Sequence, residues 1–281
     1  MIEENQVCSA YLTSVEEAGL LHDIEGERYS SGFYREPVTH EPQILVEYAS
    51  QRILTDPRLL SELEARLAAR YPEAQRVLLR VPGGTEPALD HWIPYISYVQ
   101  LSPGQVQGEI VGVRPAQPDD ESLVRVWIAT GLRNACEQQG RPVAPGAAEE
   151  VAQQLLDSPG REALVYVHEG RAVAHLTMMA DSHEEVSGRD QVEMIDVLTD
   201  NAPDQRTAQR NLVNAAAQRA KELRRPLVGN VVHTTLTNRD DDHGRRIIRK
   251  LREQGWFVTH ELWSLTIDTG TEEYELGTPL P

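Results

Sequence analysis

Two apolar, strand-like runs of this chain lead into the same tripeptide and then into a helix-forming stretch. The tripeptides are Leu54-Thr55-Asp56 and Leu198-Thr199-Asp200. Beyond each helix comes a second apolar run, so residues 44–82 and 191–232 read as the same strand–helix–strand unit. Repetition of such a unit points to internal duplication. In the first copy Asp56 takes the cap position and Pro57 the first helical position, where its missing N–H costs nothing. The stretches "HWIPYISYVQL" and "WFVTHELWSL" then correspond as the closing strands of two related halves.

The boundary between the halves falls in "LSPGQVQGEIVGVRPAQPDDESL", residues 101–123, whose Pro and Gly mark a linker. This gives a reduced half over 1–106 and a fuller one over 107–281. The fuller half opens with a strand in "EIVGVRPA" and continues with helices in "ESLVRVWIATGLRNACEQQG" and "AAEEVAQQLLDS". Next come two strands joined by the hairpin residues His168-Glu169-Gly170-Arg171. A strand over "DQVEMIDVLTD" leads into the Ala-rich helix of "DQRTAQRNLVNAAAQRAKEL", then strand, helix and last strand. The expected class is α/β with a mixed sheet, in tandem, with the N-terminal copy reduced.

Composition narrows the function. The chain has 281 residues, 40% of them hydrophobic, enough for a core. Forty-four acidic residues face 27 basic ones, for a net charge of -17. Nucleic-acid binding relies on Lys and Arg neutralising phosphates, so such a partner would need a local basic patch against an adverse field. Cys8 and Cys136 have no metal-like companions at short spacing, which predicts reduced thiols in a cytoplasmic protein. The N-terminus lacks a signal-peptide pattern, and no run approaches the ~20 apolar residues of a membrane span.

From about Glu109 to Ile267 the order β–α–α–β–β–β–α–β–α–β resembles the GNAT acyltransferase fold. The hairpin, the strand entering a turn and long helix, and the closing "KLREQGWFV" carry the resemblance. The two-half arrangement is similar to tandem-domain members of that family such as mycothiol synthase. The resemblance implies an acyl-CoA co-substrate, acetyl-CoA in the common case, whose diphosphate is held by a turn of the form Q/R-x-x-G-x-G/A. That pattern falls on Arg206-Thr207-Ala208-Gln209-Arg210-Asn211, with Arg206 matching and Gln209 and Asn211 standing at the glycine positions. Helix-terminal N–H groups attract an anion whatever the side chains, and Arg206 and Arg210 add charge. Val197 and Leu198, which precede the turn, join this expected cofactor site. The Tyr that the family often places four residues before the "GF" glycine is Leu251 here.

Acyl transfer to an amine needs a base for the amine proton and a donor for the oxyanion. On the strand before the turn, Glu193 and Asp196 are the candidate bases, and alternation places them on opposite faces with Asp196 on the more apolar side. His233, ending the next strand, is the third candidate. His175, Thr234 and Asn238 are expected to line the acceptor site. The run Asp240 to His243 complements a helix dipole, and no metal is expected. The acceptor reads as an amine of a small molecule or peptide. Two alternatives stay open: a non-CoA donor such as an aminoacyl-tRNA or a carrier-protein thioester, and a non-catalytic binding role.

Overall fold

Eleven strands form one mixed sheet in the order β1-β2-β3-β4-β11-β5-β10-β9-β8-β7-β6. The computed structural model describes residues 7–102, 108–199, 202–234 and 243–267. The first half comprises α1 (Ser9–Glu17), β1 (Leu21–Ile24), β2 (Glu27–Arg35), β3 (Pro42–Ala49), α2 (Gln51–Thr55), α3 (Pro57–Arg70), β4 (Arg76–Pro82) and β5 (Ile93–Leu101). The second half begins with β6 (Val113–Pro115), α4 (Glu121–Gln138), α5 (Ala147–Asp157), β7 (Arg161–His168), β8 (Arg171–Glu184) and β9 (Arg189–Leu198). It ends with α6 (Gln205–Leu223), β10 (Leu227–Val232), α7 (His243–Glu253) and β11 (Trp256–Thr266).

The halves exchange their last strands. β5 lies between β10 and β11 of the second half, antiparallel to both, while β11 pairs on its other edge with β4 of the first. "HWIPYISYVQL" and "WFVTHELWSL" are therefore closing strands as expected, but each closes the other half. Among the described residues two pairs of strands run parallel, β3 with β4 and β9 with β10. Each is joined by a helical crossover, as a parallel pair requires.

Helices cover both faces. α3, α6 and α7 pack on one face, where Leu59, Leu60, Leu63 and Leu67 of α3 are fully buried against Leu79, Val81 and Trp263. Burial of such a side chain contributes about 1.5–3 kcal/mol. On α6, Ala208, Leu212, Ala216 and Ala220 form the buried stripe at helical spacing. The opposite face carries α1 over the first half and α4 with α5 over the second; Val124, Trp127 and Ile128 of α4 meet Val165 and Leu198.

Local signals explain most element ends. Asp56 accepts from the N–H groups of Arg58 and Leu59 with Pro57 at the first helical position. Glu169 and Gly170 both have positive φ, 48° and 77°, as a two-residue hairpin turn of this hand requires. The two Leu-Thr-Asp tripeptides differ in role. Leu54 and Thr55 lie in α2, a short helix capped by Ser50, because β3 has already ended at Ala49. Leu198, in contrast, is the last residue of β9.

Candidate functional site

β10 pairs with β5 along its whole length, Leu227 to Val232, but with β9 only at Leu227↔Val192 and Val228↔Glu193. Beyond Glu193 the two parallel strands diverge and open a wedge. A β-bulge sits at the opening: Met178 of β8 faces Met194, its neighbour Thr177 faces Asp196, and Ile195 is left over. The first half repeats this geometry. β3 and β4 pair through Val46↔Leu79, and a bulge on β3 follows at once between Leu45 and Tyr48.

The bulge reverses one sequence expectation. An extra residue shifts the alternation of side chains, so Glu193 and Asp196 share one face instead of lying on opposite ones. Both point to the α4 side. Asp196 lies against helix α4 at Gly131, where a Cβ would come within 2.6 Å of its Oδ2, so the carboxyl group packs directly on the helix backbone. The apolar neighbours Val192 and Met194 face the other way, into the α6 core.

His175 is wholly buried, stacked on Trp127 of α4 with ring centroids 5.2 Å apart, and its Nδ1 lies 3.3 Å from Thr177 Oγ1. Its Nε2 is 3.2 Å from Asp196 Oδ2, yet neither atom has a hydrogen-bond partner, so the two approach out of line. Glu193 accepts the Ser182 hydroxyl at 2.8 Å. The floor beside these groups is open to solvent, since Asn230, on the central strand β10, is exposed. Tyr98 of β5, Asn230's register partner, stands on that floor, stacked on His260 at 4.3 Å. Burial, and next the Glu193 carboxylate, push the Tyr98 phenol up to about 12.

His233 lies on the other face and does not join Glu193 or Asp196. Its Nε2 meets Ser97 Oγ at 2.8 Å, and Ser97 donates to Glu261 Oε1 at 2.6 Å. A hydroxyl has one proton, so with that proton on Glu261 the imidazole must donate from Nε2. Its other nitrogen packs against Gly244 in the first turn of α7. An imidazole donating from Nε2 beneath a helix is a positioning group, and Nε2 is not free to act as a base. Thr234 follows it, half-buried. Asn238 and the Asp240 to Asp242 run lie outside the described residues.

The expected diphosphate turn is helix. Residues 206–211 occupy the first two turns of α6, so the N–H groups of Gln209, Arg210 and Asn211 belong to intrahelical bonding and are not free for an anion. Arg206, Gln209 and Arg210 are exposed. Asn211 is buried and accepts the Val111 N–H at 3.2 Å, which ties the segment before β6 across the helix. Asp204 caps the helix, accepting from the Thr207 N–H at 3.1 Å and the Thr207 hydroxyl at 2.7 Å. A carboxylate thus stands where the helix dipole favours an anion. Those hydrogen bonds hold the Asp204 carboxyl below its usual range. Val197 and Leu198, the other two expected cofactor residues, end β9 with Val197 toward the α6 core and Leu198 toward α4.

The equivalent wedge of the first half is filled. Tyr11 of α1 bonds Ser30 at 2.8 Å and donates to Glu47 at 3.2 Å, and Arg80 pairs with Glu184 at 3.3 Å. Burial raises the Glu47 carboxyl above its usual value. Sequence reasoning missed Ser97, Tyr98 and Asp204. For Ser97 there was a signal: Tyr95, Ser97, Val99 and Leu101 alternate as the buried positions of β5, and a serine among them needs polar partners.

No family model matches the chain, and no curated protein matches it. Solved structures similar to it include a GNAT-family acetyltransferase from Colwellia psychrerythraea, at 9% identity over 93% of this chain and 97% of that one, TM-score 0.49. A GCN5-related N-acetyltransferase from Sphaerobacter thermophilus has 14% identity over 86% and 78%, TM-score 0.47. An N-myristoyltransferase from Saccharomyces cerevisiae, with bound myristoyl-CoA, has 10% identity over 85% and 64%, TM-score 0.43. At these identities the likeness is one of chain course. Among the described residues no helix is long and apolar enough to cross a membrane, and no group of three His, Cys, Asp or Glu side chains is placed to hold a metal.

Proposed function

We propose that the second half transfers an acyl group from a thioester to an amine, with the first half structural. The observation that carries this reading is the divergence of β9 from β10 after Glu193, beside two carboxylates and an open floor. Beyond Met194, whose N–H closes the ladder with β10, the β10-facing edge of β9 has no strand partner among the described residues, so backbone N–H groups there are available to a carbonyl oxygen. The amine approaches over Asn230 on the α4 face. Glu193 takes a proton from nitrogen, the nitrogen attacks the thioester carbon, and the C–N bond forms as the C–S bond breaks. The departing thiolate recovers the proton, so the reaction balances without a further reactant. Tyr98 stays protonated at working pH and offers a hydrogen bond to developing negative charge. His175 orients Asp196 from behind.

The donor is an acyl-CoA, acetyl-CoA being the first to try. Arg206 and Arg210, exposed on the first turns of α6, are the side chains assigned to its phosphates. One observation favours a second donor class: the Asp204 cap opposes a diphosphate at the helix terminus. A thioester presented by a carrier protein would need no diphosphate site.

The test is thiol release from acetyl-CoA with a panel of amines, comparing the wild type with Glu193→Gln. We expect turnover in the wild type and a loss of about 10²–10⁴-fold in kcat with the variant, the usual contribution of a general base. Full activity in Glu193→Gln would remove the assigned base. Absence of CoA binding by calorimetry, with turnover of a phosphopantetheine thioester, would favour the second donor class.

A further inference from the structure

The unpaired carboxylate beneath α4 bears on which amine the site accepts. This step rests on the acyl-transfer reading above. Asp196 is 19% exposed at its side chain, and among the described residues its Oδ2 accepts no hydrogen bond. Its Oδ2 is buried and orphaned, and the orphaned Nε2 of the fully buried His175 lies 3.2 Å from it. A buried polar group without a partner demands an explanation in a native fold. Two such atoms 3.2 Å apart leave this carboxylate with hydrogen-bonding capacity for an outside donor. A small rotation that turned Oδ1 toward an outside donor would also bring Oδ2 into line with His175.

The charge balance says what that donor is. Glu193 and Asp196 share one face, and neither has an Arg or Lys partner among the described residues; Glu193 is held by the neutral Ser182 hydroxyl. The buried cation of the neighbouring wedge, Arg80, is committed to Glu184. A monoamine that gives its proton to Glu193 would leave Asp196 without a counter-charge under the helix. A second ammonium group on the same acceptor would supply it. Three residues of strand separate the carboxylates, roughly 10 Å when fully extended and less across the bulge. A short alkyl chain spans that.

We infer that the acceptor is a diamine or polyamine: Asp196, oriented by His175, binds its non-reacting ammonium, and Glu193 faces the nitrogen that is acylated. Asp196 is then a specificity-determining residue, and His175 a positioning one.

Binding to the full chain, without donor, tests this separately from the reaction. Calorimetry with putrescine and with butylamine should show putrescine occupying a single saturable site at least tenfold more tightly. In Asp196→Asn, with its melting curve recorded beside the wild type, putrescine should fall to the butylamine level, while Glu169→Gln in the exposed hairpin turn leaves the preference intact. Equal affinity for the two amines in the wild type would overturn the inference, with or without a folded variant. So would a putrescine preference that survives Asp196→Asn. If acetyl transfer proceeds equally well to butylamine and putrescine, the reaction stands and the diamine assignment falls. If putrescine binds as expected but no thioester tried is turned over, the site stands and the reaction falls.

Discussion

The Ser97 hydroxyl donates to Glu261 at 2.6 Å, and that one bond fixes what His233 does. With the serine proton committed, His233 must donate from Nε2, and a chain of hydrogen bonds runs from imidazole to hydroxyl to carboxylate beneath α7. It links the end of β10 to β5 and β11, which come from different halves of the sequence.

Ser97→Ala should therefore act on stability. Removing the hydroxyl orphans a buried imidazole N–H and takes a donor from Glu261, a loss of about 1–3 kcal/mol. Urea unfolding of the variant would show a lower midpoint with an unchanged slope. A variant as stable as the wild type would mean that the chain of bonds carries no weight.

The Asp204 cap leads to a second expectation. Asp204→Asn keeps a side-chain oxygen to accept from Thr207 but removes the charge at the helix terminus. CoA should then bind roughly two- to fivefold more tightly, as the dipole's preference for an anion is no longer opposed. Calorimetry of the two proteins side by side decides it, and weaker binding by the variant would place the diphosphate elsewhere.

How much of this was readable in the sequence depends on the interaction concerned. Caps and turns were legible because they are local: Asp56 with Pro57, and Gly170 in the hairpin turn, do in the fold what their residue types favour. The bulge was not read, although Met194 and Ile195, two apolar residues in succession, interrupt the alternation of β9 at that point. Missing it put Asp196 on the wrong face and separated it from Glu193. That the expected diphosphate turn is helical was hidden for a related reason. A pattern match to Arg206 through Asn211 could not show that Asp204 starts the helix ahead of it. Strand exchange left no local mark at all, since β5 and β11 each carry an ordinary strand pattern whichever half they close.

His260 gives a pH dependence whose sign follows from its surroundings. Burial first, and then Arg80, hold its pKa well below the usual histidine value. The unfolded chain takes up a proton there near pH 6.5 while the folded one does not. Stability should thus be intact above that pH and fall as pH drops below it, by at most about 1.4 kcal/mol per unit for this one group. His260→Gln should flatten the wild type's slope between pH 7 and pH 5. Carboxylates such as Glu47 titrate in both proteins and drop out of the difference. Parallel slopes in the two proteins would sink the assignment.

The exchange of β5 and β11 makes a strong claim about folding, because it leaves neither half with a complete sheet. A fragment of residues 109–281 retains α4 to α7 but lacks β5, the strand that holds β10 to β11. Both strands would then present unpaired backbone edges at the centre of the sheet, and exposed edges of this kind lead to aggregation. Val99 and Leu101, buried with Trp256 and Leu227, would be missing from the core as well. The fragment should therefore be aggregated or only partly folded, with poor amide protection in β10 and β11. A peptide covering residues 91–102, added to it, should restore protection to those two strands ahead of the rest. Hydrogen exchange on the fragment, with and without the peptide, reads this directly. If the fragment alone protects β10 and β11 as the full chain does, then β5 is dispensable and the halves are independent.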